Sequence, residues 1–128
     1  MTESPTTTSA APAPQVWPTL QASDALALID FYVETFGFER TAVYADGDTV
    51  AHAQLDWPEG GGIMLGSHKP DGVWSTQPGT LAAYVVTDHV RELWQRVQEA
   101  PAVTVIRALA STDYGSQEFA VRDPEGNS

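Results

Sequence analysis

The pattern of apolar and polar positions runs in the same order through both halves of the chain. In the first half, a strand-like run over residues 16–22 precedes residues 25–36, whose apolar positions recur at helical spacing. Ser23 or Asp24 is predicted to cap this helix, and Gly37 is predicted to end it in a left-handed conformation. Strands are predicted over residues 38–45, 49–55 and 62–65, with a hairpin turn at residues 46–48. The first half therefore predicts the order βαβββ.

The second half repeats this order but stops before its last strand. Strands are predicted over residues 80–86, 103–109 and 117–122, and a helix over residues 89–100 with Thr87 or Asp88 as its cap. A Pro-Glu-Gly turn occurs at Pro58 in the first half and returns at Pro124 in the second. The strand equivalent to residues 62–65 would begin at Ser128, where the sequence ends. A unit that occurs only twice indicates two fused supersecondary units rather than a solenoid.

Length and composition favour one folded domain. The 128 residues, 42% of them hydrophobic, suffice for one core but not for two. Residues 1–14 are rich in Thr, Ser, Ala and Pro and predict a flexible tail. Residues 15–128 predict a single domain, made of a first module over 15–67, a linker over 68–79 and a second module over 80–128.

The charge and the missing cysteines exclude several classes of function. A formal net charge of −11 disfavours binding to nucleic acid and to anionic membrane surfaces. We interpret the negative charge mainly as a source of solubility. The alternative is that it attracts a cationic ligand. No apolar stretch approaches the ~20 residues of a membrane span, and no secretory signal is visible. The absence of cysteine excludes disulfides and thiolate metal sites, which fits a cytoplasmic protein.

Three stretches carry a resemblance to a known family. They are residues 23–39, which include Phe31-Tyr32 and Phe36-Gly37-Phe38; residues 50–55; and residues 114–127, which end in Asp-Pro-Glu-Gly-Asn. In order and spacing the chain resembles the vicinal-oxygen-chelate superfamily of glyoxalase I, bleomycin-resistance proteins and extradiol dioxygenases. The resemblance covers the chain from about Val16 to Ser128. It implies an α+β fold in which two βαβββ modules form a cup-shaped mixed sheet, commonly completed in a homodimer.

The same resemblance allows a test for a metal. Metal-dependent members of the superfamily place a His or Glu from each of four strands inside the cup, because a divalent ion needs several N or O ligands. The equivalent positions here hold Trp17, Met64 and Ala82, and the fourth lies beyond Ser128. Trp and Ala cannot ligate a divalent metal, and a Met thioether prefers soft ions. We therefore expect no metal and no cofactor in the cup.

Seven residues are candidates for contact with a ligand: Trp17, His52, Met64, Ala82, Tyr84, Tyr114 and Gln117. By the resemblance Trp17 and Tyr84 face inward, where they either fill volume or form an aromatic wall for a planar or cationic group. Tyr114 is an aromatic residue in a predicted turn, where a role in the core is less expected. His52 alternates with apolar neighbours and so lies on the polar face of its strand, where a bond to a neighbouring strand is favoured over a ligand contact.

Strand alternation directs either Gln117 or Glu118 inward and leaves open which of the two. An inward Glu118 would be a candidate base with a raised pKa. An exposed Glu118 is favoured, because glutamate is seldom fully buried.

These expectations combine into a prediction of function. The chain is predicted to be a metal-free small-molecule binding protein, similar to bleomycin-resistance proteins, with an aromatic or cationic ligand in the cup. The alternative is a lyase, isomerase or dioxygenase-type enzyme of the same superfamily with a relocated metal or none, and a third option is a regulatory or structural module. A homodimer is expected because one curved sheet leaves edges and apolar faces uncovered, and an exchange of strands between subunits stays open.

Overall fold

Six strands and two helices form along the described part of the chain, which is residues 15–74 and 76–128 of a computed structural model. The tail predicted over residues 1–14 lies outside the described residues. The elements are β1 (Thr19–Ala22), α1 (Ala25–Phe31), a π-helical turn (Tyr32–Phe36), β2 (Glu39–Asp46), β3 (Thr49–Asp56), β4 (Gly62–Ser67), α2 (Val90–Glu99), β5 (Thr104–Ser111) and β6 (Gln117–Arg122).

The first half forms a mixed four-stranded sheet in the order β1-β4-β3-β2. β1 runs parallel to β4, with Thr19 opposite Met64, and the other neighbouring pairs are antiparallel. The core lies between this sheet and α1, and its largest fully buried members from the two elements include Leu55, Leu65, Leu28 and Ile29. The curved sheet, together with a small second sheet of β5 and β6, confirms the predicted α+β class.

Local sequence signals set both ends of the first helix. Asp24 caps α1, and its Oδ1 accepts a hydrogen bond of 3.2 Å from the backbone N–H of Ala27. The helix widens into the π-helical turn and ends at Gly37, whose φ of 84° is left-handed. A side chain at this position would be strained by that φ, and its Cβ would also lie 3.1 Å from Arg96. The predictions for Asp24 and Gly37 are confirmed.

The second helix begins differently from its prediction. His89 occupies the cap position of α2, so the prediction of Thr87 or Asp88 as the cap is wrong. The Thr87 hydroxyl accepts a hydrogen bond from the backbone N–H of His89, while Glu59 from the first half binds both Thr87 and Asp88. Neither helix is long and apolar enough to cross a membrane, within the part of the chain that is described.

Residues 80–86 do not form the predicted strand. Two backbone hydrogen bonds connect them to Ser128. The Ser128 N–H donates to the carbonyl of Leu81, and the Ser128 carbonyl accepts from the N–H of Ala83. The N–H of Leu81 also donates to the Asn127 side chain. Ser128 is the last residue of the sequence, and the described residues show this one paired position and no ladder over residues 80–86.

Candidate functional site

A cavity of about 610 Å³ lies between the two halves of the chain. Residues 82–88 form one side of it, and residues 116–121, which include most of β6, form the other. Five aromatic side chains of the first half contribute to its lining: Phe31, Tyr32, Phe36, Phe38 and Trp57. We call this group the aromatic floor. Asn127 and Ser128, the last two residues of the sequence, also border this space.

The aromatic floor is held together by ring contacts and one partly buried hydrogen bond. Ring centroids lie 5.4 Å apart for Tyr32 and Phe38 and 4.9 Å apart for Phe38 and Trp57. The Tyr32 hydroxyl donates to Oδ2 of Asp123 over 2.7 Å. Burial raises the pKa of Tyr32, and the negative charge of Asp123 and the bond to it raise the pKa further. Tyr32 therefore remains a neutral donor under ordinary conditions.

Trp57 connects the aromatic floor to the second half of the chain. Its indole N–H donates to the backbone carbonyl of Val86 over 3.2 Å, and only 8% of the residue is exposed. The position of Trp57 just before a Pro-Glu-Gly turn suggests a loop residue, but the turn folds its ring back onto the core. The size of its side chain was the feature of the sequence that pointed to burial, because a large aromatic residue next to a turn commonly packs against the neighbouring strands.

A second cavity, of about 730 Å³, shares residues 82–88 with the first. Trp17 lies on the opposite side, and a Cβ built on Gly62 would lie only 2.5 Å from the Trp17 ring. Gly62 thus lets the indole lie directly on the sheet. Three predicted site residues, Trp17, Ala82 and Tyr84, border this cavity together.

His52 and Met64 lie elsewhere, on the polar face of the first sheet. They line a smaller space of about 210 Å³ with Gln21 and Trp74 among its other walls. The His52 ring stacks on Tyr44 with centroids 6.2 Å apart and planes at 23°. The sequence therefore located the polar face of β3 correctly, but this face is separate from the two larger cavities.

The second half carries a cluster of polar side chains around Glu118. Tyr114 donates to Oε1 over 2.7 Å, Ser116 donates to Oε2 over 3.1 Å, and Tyr84 also donates to Oε2. Arg107 lies 3.5 Å from Oε1. We call these five residues the Glu118 cluster.

The cluster overturns the preference for an exposed Glu118, because only 11% of that side chain is exposed. Hydrogen bonds from Tyr84 and then Tyr114 lower the pKa of Glu118, and bonding to Glu118 raises the pKa of each tyrosine. Glu118 is therefore a charged acceptor rather than a base with a raised pKa. Gln117 and Glu118 both line the first cavity, so the prediction that only one of them faces inward does not separate the two residues.

The seven predicted residues are therefore distributed over three places. Ala82, Tyr84 and Gln117 line the first cavity, and Tyr114 is linked to it through Glu118. Sequence reasoning missed most of the aromatic floor, although the helical spacing of Phe31, Tyr32 and Phe36 was visible. That spacing predicts a buried stripe, and nothing in it distinguishes core from cavity wall.

The chemistry of the donors does not fit a divalent metal. Trp17, Met64 and Ala82 supply no hard N or O ligand, and among residues 15–74 and 76–128 no three His, Asp or Glu side chains converge. What the arrangement offers is shape, aromatic faces and a fixed set of hydrogen-bonding groups.

Comparisons with known proteins agree with this architecture. The sequence model of the Glyoxalase/Bleomycin resistance protein/Dioxygenase superfamily matches residues 15–128. No protein of curated function matches the chain.

Solved structures of similar proteins cover most of the chain. TioX from Micromonospora sp. ML1 is 26% identical, with a TM-score of 0.75 over 90% of this chain and 94% of its own. A glyoxalase/bleomycin resistance protein from Streptomyces sp. CB03234 is 30% identical, with a TM-score of 0.64 over 85% of this chain and 90% of its own. A protein of unknown function from Agrobacterium tumefaciens str. C58 shares the fold at 17% identity, with a TM-score of 0.70 over 91% of this chain and 90% of its own.

Proposed function

The chain belongs to the glyoxalase/bleomycin resistance protein/dioxygenase superfamily, and we propose that it is a metal-free protein that binds an aromatic small molecule between its two modules. The observation that carries this proposal is the cavity of about 730 Å³ that Trp17, Trp57 and Tyr84 border. Pockets of roughly 300–1,000 Å³ with apolar walls and a few polar groups are typical of small-molecule sites. The relative from Streptomyces, which bears the name of a bleomycin resistance protein, supports a binding role.

Aromatic walls favour a planar ligand, and the charge of the chain favours a positive one. The rings of Trp17, Trp57 and Tyr84 line the cavity, and aromatic faces attract both other rings and cations. A net charge of −11 lowers the free energy of placing a cation nearby. The ligand class is therefore aromatic, with a neutral or cationic group rather than an anionic one.

Binding is favoured over catalysis by the state of the polar groups. Glu118 is a shielded carboxylate that binds Tyr84 at the edge of this cavity, and hydrogen bonds from Tyr84 and Tyr114 lower its pKa. A general base works best when its pKa lies near the working pH, so a carboxylate with a lowered pKa is a poor one. The residues at the superfamily's metal positions also supply no Lewis acid. The enzyme alternative has no comparable support.

The protein is proposed to act in the cytoplasm as a homodimer. Large side chains remain exposed on both halves, including Tyr44, Val73, Trp74, Val105 and Ile106. A partner copy would cover such surfaces and protect the sheet edges. Light scattering at micromolar concentration checks this part, and a monomer mass would contradict it.

A titration with three aromatic dyes of different charge tests the binding proposal. Proflavine is a cation, acridone is neutral and acridine-9-carboxylate is an anion, and all three share a tricyclic ring system. Equilibrium dialysis is expected to give tighter binding of the cation and the neutral compound than of the anion. Trp17→Phe should weaken the binding several-fold, because it replaces the larger indole face with a phenyl ring at a contact worth about 0.5–2 kcal/mol.

Trp74→Phe is the matched control, because Trp74 borders only the small cavity beside His52 among the three cavities described here. Thermal melts of both variants separate a loss of contact from a loss of stability. A preference for the anion, or equal affinities of the wild type and Trp17→Phe, would show that the ligand site lies elsewhere. Chemical conversion of a dye without added metal would favour the enzyme alternative.

A further inference from the structure

Two tyrosine hydroxyls are fixed by the same carboxylate, and one of the tyrosines, Tyr84, borders both larger cavities. Tyr84 donates to Oε2 of Glu118, and Tyr114 donates to Oε1 over 2.7 Å. Both tyrosines are 72% exposed, whereas the Glu118 side chain is only 11% exposed. A ligand can therefore reach the tyrosines much more easily than it can reach Glu118.

Both carboxylate oxygens of Glu118 already accept hydrogen bonds. Oε2 accepts from Tyr84 and Ser116, and Oε1 accepts from Tyr114. The Arg107 guanidinium forms an ion pair with Oε1 at 3.5 Å. Glu118 is thus a positioning residue that acts through the tyrosines rather than on the ligand itself.

The tyrosine hydroxyls are left with one kind of hydrogen bond to offer. A phenol has a single O–H, and in both residues that proton is directed to Glu118. The remaining lone pairs on the two oxygens can only accept. A ligand group that also only accepts, such as an ether, a carbonyl or a carboxylate, would face these lone pairs without a proton between them.

We propose that Tyr84 and Tyr114 form an acceptor-only subsite, oriented by Glu118, which selects aromatic ligands that carry hydrogen-bond donors such as phenolic O–H or aromatic N–H. This inference rests on the proposed function and adds the polarity of the ligand to it. The negative charge of Glu118 strengthens the selection, because it favours the positive end of a donor over a second acceptor.

A pair of matched probes tests the selection. 2,3-Dihydroxynaphthalene and 2,3-dimethoxynaphthalene share the ring and both oxygens, but only the first can donate. Isothermal titration calorimetry with the full chain is expected to show roughly tenfold tighter binding of the diol, the effect of one or two net hydrogen bonds. Equal affinities would overturn the inference and leave the proposed function standing, whereas binding of neither probe would overturn both.

Glu118→Gln tests the role of the carboxylate. The amide of Gln donates from its nitrogen, so one tyrosine hydroxyl must accept from it and becomes free to donate to a ligand. The preference for the diol should then fall about threefold or more. Glu99→Gln on the exposed end of α2 removes the same charge outside the cluster and should keep the wild-type preference. A full preference for the diol in Glu118→Gln would overturn the role of Glu118.

Tyrosine absorbance gives a readout that does not depend on any ligand. The charged groups that face Tyr84 and Tyr114 are Glu118 and Arg107, along with the hydroxyl of the other tyrosine. In an alkaline titration the pKa values of two tyrosines should fall in Glu118→Gln and stay unchanged in Glu99→Gln. If no tyrosine titrates earlier in Glu118→Gln, the geometry of the subsite is wrong. Circular dichroism confirms that the variants are folded.

Discussion

Glu59 and Glu125 hold equivalent positions in the two halves of the chain, and each carboxylate binds the residues that precede the helix of the opposite half. The Glu125 carboxylate accepts hydrogen bonds from the backbone N–H groups of Ser23, over 2.9 Å, and Asp24, over 2.7 Å. A negative charge at this place stabilises a helix, because the unpaired N–H groups of its first turn carry partial positive charge.

The second helix receives the same contact from the first half. Glu59 accepts from the backbone N–H of Asp88 over 2.8 Å and from the Thr87 hydroxyl over 2.6 Å. The turns that present the two glutamates are also alike, since Trp57 and Asp123 each donate their N–H to a carbonyl four residues later. The internal repeat therefore corresponds to reciprocal contacts that connect the two halves of the chain.

Glu125→Gln is expected to destabilise the fold without changing its shape. The amide can replace only one of the two acceptors and carries no charge, so the free energy of unfolding should fall by about 1 kcal/mol. Urea denaturation followed by circular dichroism measures this change, with Glu99→Gln as the control for the lost charge. Equal midpoints of the two variants would show that the contact across the modules contributes nothing.

Acid should weaken the fold partly through Glu59. The hydrogen bond from Thr87, followed by that from the Asp88 backbone, lowers the pKa of Glu59 below its ordinary value of 4.5. A carboxylate with a lowered pKa stabilises the native state above the unfolded pKa, and this stabilisation disappears as the pH falls. Stability should therefore decline below about pH 4.5, and the decline should be shallower in Glu59→Gln. If the free energy of unfolding falls equally with pH in the wild type and in Glu59→Gln, Glu59 does not have this role.

Alkali should act through Tyr32. Burial, together with the charge of Asp123 and the bond to it, raises the pKa of Tyr32 above its ordinary value of 10.0. The native state holds this proton more tightly than the unfolded state, so the stabilisation is complete below the unfolded pKa and is lost as the pH rises above it. Tyr32→Phe should therefore lose less stability between about pH 9 and 11 than the wild type.

The same variant should already be less stable at neutral pH, by about 1–2 kcal/mol, because buried Asp123 loses a donor. Urea denaturation at several pH values measures both effects. Tyr44→Phe, at an exposed position, is the control. If Tyr32→Phe and Tyr44→Phe behave alike, the bond between Tyr32 and Asp123 has no energetic role.

The purified protein is expected to hold no stoichiometric divalent metal, because Trp17, Met64 and Ala82 supply no suitable ligands. Mass spectrometry for Zn, Ni, Mn and Fe after dialysis should find far less than one ion per chain. The melting temperature should also be the same with and without EDTA. About one ion per chain that is lost on substitution of cavity residues would disprove this expectation.

The sequence by itself determined the local features of the fold. Asp24 as a cap, Gly37 as a left-handed helix end and the hairpin at Gly47 depend on the conformational preferences of a few neighbouring residues, so they were readable. The resemblance carried by the turn motifs then gave the α+β class and the superfamily. Each of these signals lies within a short stretch of chain.

Tertiary structure alone decided which side chains meet. Glu125 binds Asp24 across 101 residues, and Tyr84 binds Glu118 across 34. Alternation along β6 could not show that Glu118 would be shielded and Gln117 exposed, because that depends on two tyrosines from other segments. Residues 80–86 have strand-forming composition, but a strand also needs a partner beside it, and composition carries no information about that partner. The physical reason is the same throughout, because propensity acts between neighbours in sequence, whereas burial, charge pairing and sheet formation act between neighbours in space.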